Sequence, residues 1–139
     1  MIDKSNIKQT KYITTQLSIP GGSAAGMYPS AAAGLDENYD VCDGVAITVQ
    51  TDGGIANGDF NVQLETAQGI IFDSTPIAVV QVDKNTLVNH RFLDVLFDAK
   101  GGKNAKLVGI IAAVPGATMK ISITYRLRRL LTPVSIPKV

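Results

Sequence analysis

Strict alternation of apolar and polar side chains runs through residues 119–128, where every odd position is apolar and every even position is polar. Successive side chains of a β-strand point to opposite faces of the sheet, so this period of two predicts a strand with one face in a core and the other exposed. Periodicity of the helical kind is scarce in the rest of the sequence. The pattern therefore predicts an all-β protein.

Seven further segments alternate in this way or are short apolar runs bounded by turn residues: 13–19, 45–49, 59–65, 70–72, 77–82, 91–98 and 106–113. Eight short strands within 139 residues, separated by Gly, Asn and Pro, are typical of a two-sheet sandwich or a small barrel. We expect an eight-stranded antiparallel β-sandwich and favour a jelly roll. An immunoglobulin-like sandwich stays open, because alternation specifies faces and does not specify which strands pair.

Turn residues predict three hairpins, which join 59–65 to 70–72, 91–98 to 106–113, and 106–113 to 119–128. Gln68 and Gly69 form the first turn, residues 100–104 the second, and Pro115 and Gly116 the third. A helix could occupy residues 84–89.

The chain is expected to form a single sandwich domain over residues 11–131, with an N-terminal arm at 1–10 and an extended C-terminal tail at 132–139. Residues 21–40 form a long loop of small residues, with room for one helical turn at 31–33. A loop of this length is uncommon inside a compact domain, so we expect it to be mobile or to be ordered by a neighbouring chain. No apolar run long enough for a signal peptide or a membrane span is present in the sequence.

Charge is strongly segregated along the chain, although the formal net charge is only +1. Residues 1–11 hold three lysines and one aspartate, and residues 12–83 hold nine acidic side chains and no Lys or Arg. From Lys84 onward there are ten basic side chains and only two acidic ones. Such blocks can pair within one molecule, pair between two copies, or bind a polyanion, and the sequence alone does not separate these alternatives.

No catalytic motif or cofactor-binding motif is recognisable, so we expect a protein that is not an enzyme and needs no cofactor. His90 has no second His and no Cys nearby in sequence. Cys42 has acidic neighbours that oppose thiolate formation, so we expect it to be an ordinary small buried side chain. Four acidic residues lie close enough in sequence to share a calcium ion, although the pattern of a calcium-binding loop is missing; they are Asp36, Glu37, Asp40 and Asp43. We therefore predict no metal site.

Basic and apolar residues near the two ends of the sequence are the best candidates for a subunit interface: Lys8, Lys11, Arg126, Arg128, Arg129, Val134, Ile136 and Val139. The arginines lie in the outward-facing part of one predicted strand, with Lys120 on the same face. We expect their partners to be carboxylates of another subunit or of the acidic half of the same chain, with weak nonspecific nucleic-acid contact as a further possibility. Specific binding of single strands or of glycans is disfavoured, because most aromatic residues are expected to face the core and Trp is absent.

In strand number and spacing over about residues 11–131, the chain resembles the small single jelly-roll proteins of viruses and phages. In those proteins eight strands form two sheets, and terminal arms reach across neighbouring subunits. The resemblance implies a virion subunit, such as a capsid, penton, spike-base or decoration protein, that forms homo-oligomers and contacts other virion proteins. The alternative is a β-sandwich binding module for a glycan or a protein.

Overall fold

The computed structural model describes residues 2–81, 92–100 and 104–136, and these residues form two antiparallel sheets. Their strands are β1 (Ile7–Ile19), β2 (Gly26–Pro29), β3 (Ala33–Gly34), β4 (Val41–Asp52), β5 (Phe60–Thr66), β6 (Gly69–Pro76), β7 (Leu93–Asp98), β8 (Asn104–Ile111) and β9 (Met119–Leu130). The helical elements in this part of the chain are the 3₁₀ turns Lys4–Asn6 and Asn57–Asp59 and the four-residue helix α1 (Ile77–Val80). The prediction of an all-β sandwich is confirmed. None of the helices in the described part is long or apolar enough to span a membrane.

Strand order identifies the sandwich as a jelly roll. Sheet A has the order β1-β9-β4-β7, and sheet B has the order β2-β8-β5-β6 with β3 beside β8. The pairs are nested along the chain, because β1 pairs with β9, β2 with β8, β4 with β7 and β5 with β6. A long antiparallel hairpin rolled into two sheets has this arrangement. An immunoglobulin-like sandwich, in which the first strand pairs with the second, is excluded.

The core lies between the two sheets and takes up the apolar faces predicted from the alternation. β9 contributes its odd positions up to residue 127, all buried: Met119, Ile121, Ile123, Tyr125 and Leu127. Phe60, Val62 and Leu64 of β5 face them from sheet B. Gly109 of β8 allows close packing, since a Cβ there would lie 2.8 Å from Leu17 Cδ2.

Residues 77–82 were expected to form a strand, and that prediction is wrong for the described part of the segment. Ile77–Val80 forms the helix α1. Ile77 and Val80 are three residues apart, so one helical turn buries both, whereas Val79 is 70% exposed. A short apolar run of this kind therefore fits a single helical turn as well as it fits a strand. Val82 and residues 84–89, for which a helix was considered, lie outside the described residues.

The expected loop at 21–40 contains two short strands, β2 and β3, and no helical turn at 31–33. Both strands hydrogen-bond to β8, and Tyr28 of β2 packs against the core, so contacts within the same chain order this segment. The N-terminal boundary also differs from the prediction, because β1 begins at Ile7 and residues 7–10 belong to the sandwich.

Of the three expected hairpins, the one formed by β5 and β6 is confirmed. The other two are wrong, because β7 and β9 belong to sheet A and β8 to sheet B. The connections β7–β8 and β8–β9 therefore cross between the sheets. Residues 101–103, part of the expected second turn, lie outside the described residues.

Candidate assembly surfaces

A β-bulge in β4 places an acidic side chain on the outer face of sheet A. Cys42 lies opposite Leu127 and Gly44 lies opposite Arg126, so Asp43 is an extra residue relative to β9. Cys42 on one side of the bulge and Val45 on the other are both fully buried. The extra residue preserves this inward alternation and leaves Asp43 on the side of β9 that carries the arginines.

Asp43 binds both outward-facing arginines of the predicted basic cluster. Arg126 Nε donates to Asp43 Oδ1 at 2.8 Å, and Arg128 Nε donates to Asp43 Oδ2 at 2.9 Å. The carboxylate is only 5% exposed, and the arginine side chains are 14% and 18% exposed. A guanidinium nitrogen of Arg128 also donates to the hydroxyl of Thr10 on β1. The cluster therefore joins three neighbouring strands of sheet A and compensates charge within the chain.

Two aromatic rings lie beside this cluster on the same face. The Arg126 guanidinium carbon lies 4.7 Å from the centre of the Phe92 ring, and the centres of the Phe92 and Tyr12 rings are 5.7 Å apart. Gly44 leaves room for this arrangement, because a Cβ there would lie 2.9 Å from Arg126 Nη2. Tyr12 is 53% exposed. Tyr12 and Phe92 are thus exceptions to the expectation that most aromatic residues face the core.

Among the described residues, three other ion pairs connect the acidic block to the basic blocks. Lys11 Nζ lies 2.6 Å from Asp36 Oδ2, Lys100 Nζ lies 3.8 Å from Asp40 Oδ1, and Lys106 Nζ lies 3.4 Å from Glu65 Oε2. The hydrogen bond between Lys11 and Asp36 lowers the pKa of the carboxyl group and raises the pKa of the amine. Intrachain pairing, one of the three explanations for the charge segregation, thus accounts for these contacts.

Three of the four acidic residues considered as calcium ligands have separate partners in the fold. Asp36 binds Lys11, Asp43 binds two arginines, and Asp40 accepts a hydrogen bond from the Leu130 amide at 2.7 Å. No group of three or more His, Cys, Asp or Glu side chains with the geometry of a metal site occurs among the residues described.

Lys8 and Arg129, two further interface candidates, lie at one end of sheet A, where β1 meets β9. Both are exposed. Lys8 falls at a second irregularity, because Ile7 lies opposite Leu130 and Gln9 lies opposite Arg129. Their charged groups therefore extend from the end of the sheet that also holds the C-terminal segment.

The C-terminal segment is fixed to the domain at its start. Asn6 Oδ1 accepts hydrogen bonds from the Thr132 amide and hydroxyl, both at 2.8 Å, and the Leu131 amide donates to Asn6 O at 2.9 Å. Beyond Thr132, Val134 and Ile136 are half-buried and line a groove of about 390 Å³ with Asp40, Val41, Asp98 and Lys100. Val139 lies outside the described residues.

Two titratable groups are held neutral in the core below the arginine cluster. Burial raises the pKa of the Cys42 thiol to about 12, and the thiol donates to Gly44 O at 3.3 Å. Burial also raises the pKa of Tyr125. The expectation that Cys42 is an ordinary small buried side chain is confirmed.

The sequence predicted carboxylates as the partners of the arginines, on another subunit or in the acidic half of the same chain, but it did not identify Asp43 among them. In the sequence, Asp43 is one of four acidic residues between positions 36 and 43. It is the bulge in β4 that places Asp43 beside the arginines. The sequence did contain a signal of the bulge. Asp43 and Gly44 stand side by side before Val45, and neither has a large apolar side chain, so the alternation is interrupted there as it commonly is at a bulge.

The sequence matches no protein-family model and no curated protein. Its structure is similar to a chain of the cyanophage Pam1 capsid asymmetric unit, with a TM-score of 0.50 and 11% sequence identity over 93% of this chain and 90% of that chain. What the two share is the fold. A crystal structure of FLHE is also similar, with a TM-score of 0.46 and 14% identity over 85% of this chain and 98% of that chain.

Proposed function

We propose that the chain is a non-enzymatic structural subunit of a virion that assembles into homo-oligomers. The observation that carries this proposal is the nested strand pairing of a complete jelly roll, which aligns over 93% of its length with a chain of a phage capsid. In this role the protein is located in the virion and contacts other copies of itself and other virion proteins.

The C-terminal segment supplies a candidate contact for assembly. Val134 and Ile136 are only half-buried in the groove, and Leu131 nearby is 62% exposed. Apolar surface that stays accessible in one subunit becomes fully buried when a neighbouring subunit covers it, and this burial favours association. Lys8 and Arg129, exposed at the same end of sheet A, would surround such a contact with positive charge.

Solution mass tests the proposal directly. Light scattering after size exclusion at micromolar concentration should give a discrete oligomer, and the double variant Val134→Ser with Ile136→Ser should shift its mass toward that of the monomer. Ser135→Ala, a change at the exposed residue between them, is the matched control and should leave the mass unchanged. A wild-type chain that is strictly monomeric at every concentration and salt level contradicts self-assembly.

A second candidate function, a binding module for a glycan or a protein, is favoured by the exposed Tyr12 ring beside Phe92 and Arg126. Exposed aromatic rings with neighbouring hydrogen-bonding groups can bind the apolar face of a sugar. This function predicts a stable monomer with saturable binding that Tyr12→Ala abolishes. Calorimetric titration with a panel of soluble oligosaccharides would test it, and a flat titration for every compound would contradict it.

A further inference from the structure

The outer edge of sheet A is an unusually regular strand edge. β1 pairs with β9 in unbroken register from Gln9 to Ile19. The other edge strands of the described sheets are short or irregular: β2 has four residues and ends in Pro29, and the pairings of β6 and β7 contain register shifts. A long, regular edge offers free backbone groups to another strand.

The direction of these backbone groups follows from contacts of β9. Arg128 O accepts from the Asp40 amide at 3.0 Å, which directs even-numbered residues of β9 toward β4. Leu131 N donates to Asn6 O at 2.9 Å, which directs odd-numbered residues toward β1. In antiparallel pairing, Ile13 then bonds to Tyr125, and the even-numbered residues of β1 direct their N–H and C=O groups away from β9.

We propose that this edge pairs antiparallel with the β1 edge of a second copy across a two-fold axis, joining two four-stranded sheets into one. The inference rests on the proposed assembly role and names the surface that one of its contacts uses. Ile13 is the midpoint of β1, so full overlap places Tyr12 opposite Thr14 of the partner subunit. Within the regular part of the strand, residues 10, 12, 14 and 16 would then make about eight backbone hydrogen bonds to the partner strand.

Side-chain charge is compatible with this register. Full overlap places Lys8 opposite Ser18 of the partner subunit and Lys11 opposite Thr15 of the partner subunit, so no lysine faces another lysine. Like charges directly opposite each other across a strand pair are destabilising, and their absence lets the strand pair with itself. Tyr12, exposed on the outer face, would meet a threonine, an aromatic and β-branched combination that favours cross-strand contact.

The first test removes one outward-facing N–H. Thr14→Pro deletes the amide hydrogen of a residue whose backbone groups face the open edge, where proline is tolerated. The variant should keep the far-ultraviolet circular dichroism of the folded chain and lose the two-fold contact, with at least a tenfold rise in the dissociation constant by light scattering. Thr14→Ala keeps the amide and should associate like the wild type.

The second test uses charge at a site opposite Lys8. Ser18 is exposed, so Ser18→Lys and Ser18→Glu are matched changes. Ser18→Lys should weaken association about fivefold and Ser18→Glu should strengthen it, with the difference shrinking at high salt. Ser18 also lies opposite Lys120 of β9 in the same chain, so both substitutions can change the stability of the monomer. Melting temperatures measured at protein concentrations below the dissociation constant give this effect separately.

Several results would overturn the inference. If folded Thr14→Pro associates as tightly as Thr14→Ala while the Val134 and Ile136 double variant dissociates, the edge pairing is wrong and the assembly role stands. If Thr14→Pro does not fold, equal association of Ser18→Lys and Ser18→Glu overturns the pairing. A wild type that is monomeric throughout contradicts both the pairing and the assembly role.

Discussion

Asp43 holds two arginines of the outer face of sheet A in place. Its carboxylate is almost fully buried between two guanidinium groups, and both would remain partly buried without it. Removing one partner of a buried ion pair destabilises a protein by about 3 kcal/mol, because the remaining charge is left uncompensated. We expect Asp43→Asn to lower the free energy of unfolding by about that amount, measured by urea denaturation.

A matched substitution separates this effect from a general loss of negative charge. Asp73 on β6 is exposed, and Asp73→Asn should change the free energy of unfolding by less than about 0.5 kcal/mol. Equal stabilities of the Asp43→Asn and Asp73→Asn variants would show that the ion-paired cluster contributes nothing to stability.

Cys42 gives the fold a dependence on alkaline pH. Its thiol has a pKa of about 12 in the folded chain against an ordinary value of 9.0, so the unfolded chain ionises first as the pH rises. The stability contribution is therefore complete below pH 9 and is lost between pH 9 and pH 12. Between pH 8 and pH 10.5 the wild type should lose about 2 kcal/mol more than Cys42→Ala. Parallel stability curves for the two proteins would contradict this.

At the scale of elements, the connection between β4 and β5 is fixed by glycine. Gly53 has φ +62°, and a Cβ there would lie 2.6 Å from both Ala117 O and Met119 Cγ. Gly54 has φ +80° and no atom within 4 Å of a Cβ position. Both alanine substitutions cost backbone strain, but only Gly53→Ala also pushes against the β8–β9 connection, so it should be less stable than Gly54→Ala by at least about 2 kcal/mol. Thermal melts of the two variants make the comparison, and equal melting temperatures would contradict it.

The strands and helices also show where sequence patterns are sufficient to predict secondary structure. β9 was predictable because ten alternating residues cannot place their apolar side chains on one side in any other regular structure. The stretch 77–80 was not, because four apolar residues fit one helical turn as well as a strand. β2 and β3 were missed because they are short and rich in small residues, and they are held by backbone pairing with β8 and by the packing of Tyr28 against the core.

The candidate surfaces, too, could be predicted from the sequence only in part. Composition and position brought Arg126, Arg128 and Val134 to notice, but alternation contains no information on register. Register brings Asp43 of β4 beside Arg126 and Arg128 of β9, more than 80 residues away in the chain. Contacts of this kind depend on strand order, which the sequence left open between two sandwich topologies.

At the scale of the whole molecule, nested pairing makes neither sheet a contiguous part of the chain. β9 lies between β1 and β4, so sheet A cannot form until the first and last strands meet. Because closing such long loops is slow, we expect refolding in about milliseconds to seconds and one cooperative unfolding transition. Stopped-flow refolding and denaturation monitored by circular dichroism and by tyrosine fluorescence would measure both. Two separate transitions, or refolding in microseconds, would mean that one sheet folds alone. The ion pairs between early and late segments of the chain would then form only after that sheet.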